Sequence, residues 1–292
     1  MRKDRLDRTG LLTLLALTVL LAFNQIVIKI VDHDLQPVFF AGARSALAVV
    51  FVGLWLWWRG LLGRVRLADL GPGLAIGAIF SVEFLGLFLA LDLTTVGRSA
   101  LIMYSMPVWM GILGHFFLPG ERVTQGRAAG LALAFAGTAW AILSRGSAGQ
   151  ASLLGDFCAL LGAWGWAGTA FLARWTRLSK AGPEAQLFWM VAVSAPILLA
   201  VSPLFGPVIR GLQVSDLFWL VFQSGVVVAG GFVTWLWLLS VYPTATVASF
   251  SFLTPIFALI LGYFFFGESL TLGLTGSAVL VSVGIVLINR RV

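Results

Sequence analysis

Residues 100–121 read ALIMYSMPVWMGILGHFFLPGE, and residues 248–268 read ASFSFLTPIFALILGYFFFGE. Setting Pro107 against Pro255 also aligns Ala100 with Ala248, Tyr104 with Phe252 and Gly114 with Gly262. The register extends upstream to Leu91 and Leu239. After one residue is dropped in the turn it continues through Glu121 with Glu268, Gly126 with Gly273 and Gly137 with Gly284. Matches held at one offset over so long a stretch mark an internal duplication. In a chain this apolar, the duplicated unit is expected to be a membrane unit.

Composition agrees. Of 292 residues 60% are hydrophobic and 11% charged, and the mean hydropathy is +0.99, whereas a soluble domain carries about a quarter charged residues. The sequence therefore describes an integral membrane protein. Nineteen Lys and Arg against twelve Asp and Glu give a net charge of +7. In a membrane chain such an excess reports cytoplasmic loops, and no basic stripe interleaved with aromatics argues for nucleic acid as a partner. The single cysteine, Cys158, excludes an intramolecular disulfide and a multi-cysteine metal site. His33 and His115 stand far apart without a carboxylate-rich spacing around either. No GxxxxGK[ST], HExxH or GxSxG run occurs. Leu154-Gly155-Asp156 resembles a fragment of an intramembrane aspartyl protease motif, but no second mid-helix Asp shares a proton with Asp156, which reads better as a helix N-cap. The expectation is a protein without cofactor or metal that is not an enzyme.

A spanning helix needs about 20 mostly apolar residues. Windows of that length, cut at Gly, Pro and charge clusters, place ten helices near 11–30, 36–58, 70–91, 97–117, 125–144, 152–173, 184–203, 216–239, 244–266 and 271–289. The basic cluster Arg2, Lys3, Arg5, Arg8 imitates a signal peptide, yet no A-x-A site follows, so it is kept as the start of the first helix. With the N-terminus in the cytoplasm, that cluster, Arg59, Arg64 and Arg66, Arg122 and Arg127, Arg174, Arg177 and Lys180, and Arg290 and Arg291 all fall inside. Only Arg98, Arg145 and Arg210 remain outside, so both termini are expected to be cytoplasmic. Ten helices divide into repeats over 1–148 and 149–292. Because five is odd, the second repeat enters the membrane inverted, an arrangement that puts a substrate site near the midplane between halves.

Several features together resemble one family. They are Lys29 before a turn, Gln36-Pro37 to Arg44, the run from Ala90-Leu91 to Ala100, Pro107, Gly120-Glu121-Arg122-Val123, and Gly130 to Gly137. The second half repeats them through Arg174, Gly182-Pro183, Leu239 to Ala248, Pro255, Gly267-Glu268-Ser269-Leu270 and Gly284. This pattern resembles EamA-type transporters of the drug/metabolite transporter superfamily over nearly the whole chain. Its aromatic content, with Tyr104 three residues before Pro107, is similar to that of bacterial aromatic amino-acid exporters, from which Met106 departs at a position where an aromatic would be expected. The resemblance implies a ten-helix carrier of the bacterial inner membrane that exports aromatic and other neutral amino acids by alternating access. A multidrug or sugar-linked metabolite carrier of the same fold is the alternative, and a membrane enzyme or lipid-handling protein a distant one.

Particular residues could carry such transport. Pro107 and Pro255 lack the amide that would bond the carbonyls of Met103 and Ser251, so the fourth and ninth helices should bend there and act as gates. Ala100, Tyr104, Pro107, Gly111 and Gly114 share one face, making Tyr104 and Phe252 candidate cavity walls, with Ser251 beside the latter. Trp164 sits halfway along the sixth helix as a stacking surface, while Trp235 and Trp237 are expected to face lipid or the interface. Intramembrane polar groups are costly and need partners or tasks. Arg44 and Glu83 lie at equal depth, about 12 Å below the outer face by helix rise. They form either a structural ion pair or, through Glu83, a proton-coupled, substrate-contacting or cavity-lining site. Lys29 should snorkel to the outer interface. Asn24 and Gln25 could hydrogen-bond a zwitterion or tie two helices together. Glu121 and Glu268 should cap helix ends and fix loops. Gly126 to Gly130 and the counterpart at Gly273 suggest close helix contacts, within the chain or across a homodimer; a monomer or a homodimer is expected.

Overall fold

The computed structural model describes residues 7–118, 123–144, 152–242, 247, 250 and 253–289. The expected roles of Glu121, Ala248, Ser251 and Phe252 lie outside the described residues. Among the described residues the chain is helical, with a single isolated bridge between Leu35 and Ile209. Helices α1 (Arg8–Val31), α2 (Pro37–Trp58) and α3 (Leu70–Leu93) are long and continuous. The next window divides into α4 (Val96–Met103) and α5 (Met106–Phe117), followed by α6 (Gln125–Leu143), α7 (Leu153–Trp175) and α8 (Pro183–Val201). Then α9 (Val214–Val221) runs through a π-helical segment (Phe222–Gly230) into α10 (Gly231–Val241). Last come α11 (Leu253–Phe266) and α12 (Leu272–Asn289). Among the described residues seven helical stretches are long and apolar enough to cross a membrane, and Leu253–Phe266 and Leu272–Ile288 are shorter apolar helices.

The helix starts follow from local chemistry. Thr95, Thr124 and Ser152 place their hydroxyls on the amides of Arg98, Arg127 and Gly155, satisfying donors that a helix N-terminus leaves free. Ser152, not Asp156, is thus the N-cap of α7, and Asp156 is released to pair with Arg98. At Pro107 the expected bend is a complete break. Tyr104 and Ser105 leave the helix and Pro107 falls in the first turn of α5, where a missing amide costs nothing.

Inside a bilayer helices gain little from the hydrophobic effect and associate through close packing of small residues. Gly86 and Gly162 let α3 and α7 touch: a Cβ at Gly86 would stand 2.4 Å from the amide nitrogen of Gly162. Gly130 and Gly284 do the same for α6 and α12, where a Cβ at Gly130 would stand 2.8 Å from the carbonyl oxygen of Gly284. The small-residue contact expected in the fifth and tenth helices is therefore made within one chain, by Gly130, Gly137 and Gly284. The most extensive packing joins elements of opposite halves: α3 with α7, α6 with α12, α2 with α8, and α3 with α8. The halves are interleaved, and a space is left between them.

Candidate functional site

Between the halves lies a cavity of about 890 Å³. It reaches the surface beside Gly114, Val123, Arg127, Arg174 and Ile288, where α5, α7 and α12 end and α6 begins. Aromatic and sulfur-bearing side chains line it, among them Phe84, Tyr104, Trp166, Phe232 and Trp235 with Met103, Met106 and Met110. The Tyr104 ring meets Trp166 edge to face with centroids 5.4 Å apart, and its side chain is 6% exposed. Flexible thioethers beside rigid rings give a surface able to fit differing apolar bodies.

The deep end is polar. Asn24, Gln25, Arg44 and Glu83 line it, each no more than 8% exposed. Among the described residues, Asn24 Oδ1, Gln25 Oε1, Arg44 Nε and Glu83 Oε2 have no hydrogen-bond partner. The expected Arg44–Glu83 ion pair is not formed; neither side chain enters a salt bridge within 4 Å among the described residues. The Arg44 side chain is held elsewhere. The Arg44 guanidinium lies over the rings of Phe84 and Phe88, 3.9 and 5.2 Å from their centroids. The Glu83 backbone abuts Gly165, where a Cβ would stand 2.5 Å from its amide nitrogen. The backbone under this end is tied to the second half: Gln223 Nε2 donates to the Asn24 carbonyl (3.1 Å) and Ser224 Oγ to that of Arg44 (3.0 Å). Both donors belong to the π-helical segment, a geometry frequent where function overrides helix regularity.

Beyond the deep end the structure is closed by ion pairs. Glu268 Oε1 accepts from the Val96 amide (2.6 Å) and Oε2 from that of Gly97 (3.0 Å), so a carboxylate from the second half caps α4 in the first. Lys29 Nζ donates to the Thr94 carbonyl (2.6 Å) and stands 3.7 Å from Glu268 Oε1. Glu268 thus supplies Lys29 with an anion that α1 by itself lacks. On the same face Arg98 pairs with Asp156, with side chains 5% and 3% exposed, and Arg210 stands 3.8 Å from Asp32. Burial first, then the neighbouring Asp92, push the Asp32 carboxyl up to about 8, against the lowering pull of Arg210 and Lys29.

The candidate residues thus divide. Asn24, Arg44, Glu83, Tyr104 and Pro107 meet at the cavity wall. Trp164 does not: it is 39% exposed and meets Trp109 edge to face at 5.4 Å on the outer surface of the bundle. Trp166, two positions and about 200° further around α7, takes the inner place. Trp235, expected to face lipid or the interface, also lines the cavity. Pro255 is buried in the first turn of α11, and its neighbour Thr254 reaches the cavity. Sequence reading missed Phe84, Trp166 and Met110; the glycine face of α7 was visible, but which tryptophan flanked the inner side depended on its rotation against α3.

Comparison with known proteins is consistent across the chain. The sequence matches the EamA-like transporter family twice, over residues 8–143 and 153–290. It is 30% identical to the uncharacterized transporter YvbV of Bacillus subtilis (strain 168), the alignment covering 87% of this chain and 83% of that protein. A probable amino-acid metabolite efflux pump of Escherichia coli (strain K12) is 29% identical over 92% of this chain and 89% of its own. A solved crystal structure superposes with a TM-score of 0.67 at 20% identity, covering 96% of both chains, and so shares the fold.

Proposed function

Because the chain belongs to the EamA-like transporter family, and is a multi-pass protein of the bacterial inner membrane, we propose that it exports aromatic and other neutral amino acids, or similar small metabolites, by alternating access. The observation that carries this reading is the shape of the cavity, open at one end, lined with aromatic rings and polar where it is closed. Its volume, about 890 Å³, suits a small molecule. The printed name of the E. coli relative, a probable amino-acid metabolite efflux pump, supports an amino acid as cargo.

In this reading the chain crosses the membrane ten times, as repeats 1–148 and 149–292 in opposite orientations, with both termini cytoplasmic. The pattern of contacts supports the pairing. The contact of α1 with α11 has its exchanged counterpart in that of α7 with α4 and α5, and the contact of α3 with α8 in that of α2 with the π-helical segment. Such duplicated packing is what a two-fold relation between halves requires. The cavity then opens to the cytoplasm, where substrate loads, and the ion pairs of Glu268 with Lys29 and of Asp156 with Arg98 hold the outer side shut. The break before Pro107 and the matching Pro255 serve as the gates, and Tyr104, with Phe252 as its counterpart and Ser251 beside it, contacts substrate.

A purified-protein liposome assay tests this, comparing tryptophan, phenylalanine, threonine and a cationic dye for saturable flux. Aromatic amino acids should exchange in preference to threonine and the dye. No flux above that of empty liposomes would overturn the carrier reading for these substrates. The methionines at 103, 106 and 110 favour a second reading, a multidrug carrier with an adaptable wall; dye flux exceeding amino-acid flux would select it.

A further inference from the structure

The deep end of the cavity carries one buried cation, one buried anion and two amide groups, none of which satisfies another. Arg44 is 2% exposed and its guanidinium donates no hydrogen bond to the protein among the described residues. Glu83, 8% exposed, has Oε2 without a partner among the described residues, and so have the side-chain amide oxygens of Asn24 and Gln25. Buried polar groups left without partners in the protein are uncommon and call for an explanation. Two opposite charges on residues that line one void, with no direct ion pair between them, call for a particular one, since an uncompensated buried charge is costly.

Resting on the exporter reading above, we infer that this end is a zwitterion clamp, in which Arg44 takes the carboxylate of an α-amino acid while Glu83, with the amide carbonyls of Asn24 and Gln25, takes its ammonium group. The chemistry matches group by group. A guanidinium offers a planar fork of donors suited to a carboxylate, and its placement over Phe84 and Phe88 fixes that fork. An ammonium group has three protons, and Glu83 Oε2, Asn24 Oδ1 and Gln25 Oε1 are three unfilled acceptors. A bare amine would leave Arg44 uncompensated, and a bare acid would leave Glu83 so; either forfeits one charge-assisted contact in a low-dielectric setting. The side chain of the amino acid then extends toward Tyr104 and Trp166, which makes the head group the selected feature and the apolar body the tolerated one. Gln223 and Ser224 of the second half hold the backbone carbonyls of Asn24 and Arg44, which ties the base of the clamp to that half.

Three ligands with one ring isolate the head group: L-phenylalanine, 2-phenylethylamine and 3-phenylpropionate. Binding to the purified full chain is measured by calorimetry, and counterflow is measured in proteoliposomes. Phenylalanine should bind at least about tenfold more tightly than either analogue, the loss expected when a charged partner is left unpaired. Glu83→Gln should abolish the preference over 3-phenylpropionate and keep that over 2-phenylethylamine; Arg44→Gln should do the reverse. Equal binding of the three ligands by the unaltered protein, or binding of none, overturns the clamp without needing either variant to fold. Flux without head-group discrimination sinks the clamp and leaves the carrier standing. Selective binding without counterflow supports the clamp and sinks the carrier.

Discussion

At the scale of single residues, the closed end of the molecule shows how a charge acquires its role from a partner distant in sequence. Asp32 follows α1 directly and would ordinarily ionise near 3.8, but burial and the neighbouring Asp92 raise it to about 8. The folded state then binds a proton that the unfolded chain releases. The resulting stabilisation is fully present below about pH 4 and is lost as pH rises through about 8. Thermal unfolding of the purified protein should show a lower midpoint at pH 9 than at pH 5, and Asp32→Asn should flatten that difference; an unchanged slope would mean that other groups carry it. Trp166 and Trp164 offer a second comparison. Trp166→Ala removes a ring from the cavity wall and should lower phenylalanine flux about tenfold, a loss of about 1.4 kcal/mol of binding. Trp164→Ala, on an exposed ring, should stay within about twofold in the same assay, as outer-surface changes do.

At the scale of elements, the contact of α3 with α7 depends on having no side chain at Gly86. A Cβ there would meet the nitrogen and Cα of Gly162 and the carbonyl oxygen of Cys158, all backbone, within 2.4 to 2.8 Å. Backbone cannot rotate aside, so Gly86→Ala should destabilise the protein by about 1–3 kcal/mol, the usual cost of overpacking. Gly71→Ala, with nothing within 4 Å, is the control and should leave the unfolding midpoint unchanged. Much of this level could be read in the sequence. The apolar windows reproduce the long helices to within a few residues, because hydropathy and caps are local properties. Two features could not. The full break at Tyr104 and Ser105 and the π-helical run at Phe222–Gly230 depend on what packs alongside. Gln223 and Ser224 reach the carbonyls of α1 and α2 from that run, contacts between residues about 180 to 200 positions apart.

At the scale of the whole molecule, the cavity opens at one end and the charged contacts gather at the other. Glu268 joins the halves there, so under the proposed alternating access its neutralisation should favour the opposite state. Glu268→Gln weakens the cap on α4 and leaves Lys29 with the Thr94 carbonyl alone. Two single cysteines report the shift, each in a Cys158→Ser background: Val96→Cys on the closed face and Met110→Cys in the cavity. A membrane-impermeant maleimide applied from outside should label Val96→Cys faster when Glu268→Gln is also present. Equal labelling rates would show that the contact does not hold the outer side closed. A two-state carrier shifts only by the difference in free energy between its states, so one charge-assisted contact is enough to change populations severalfold.

Taken alone, the sequence determined the class of this protein: an apolar, duplicated, helical membrane chain with the pattern of an EamA-type transporter, and polar candidates at Asn24, Arg44, Glu83 and Tyr104. These are properties of composition, period and repetition, which are written locally. Only the tertiary structure decided that Arg44 and Glu83 face one void without touching, that Trp166 rather than Trp164 enters it, and that Lys29 is held by Glu268. The opening stretch shows the same division, since its repetition is legible but the break before Pro107 is not. Each of those outcomes rests on the rotation and approach of helices from opposite halves, set by glycine contacts and by the competing claims of neighbours on every buried charge.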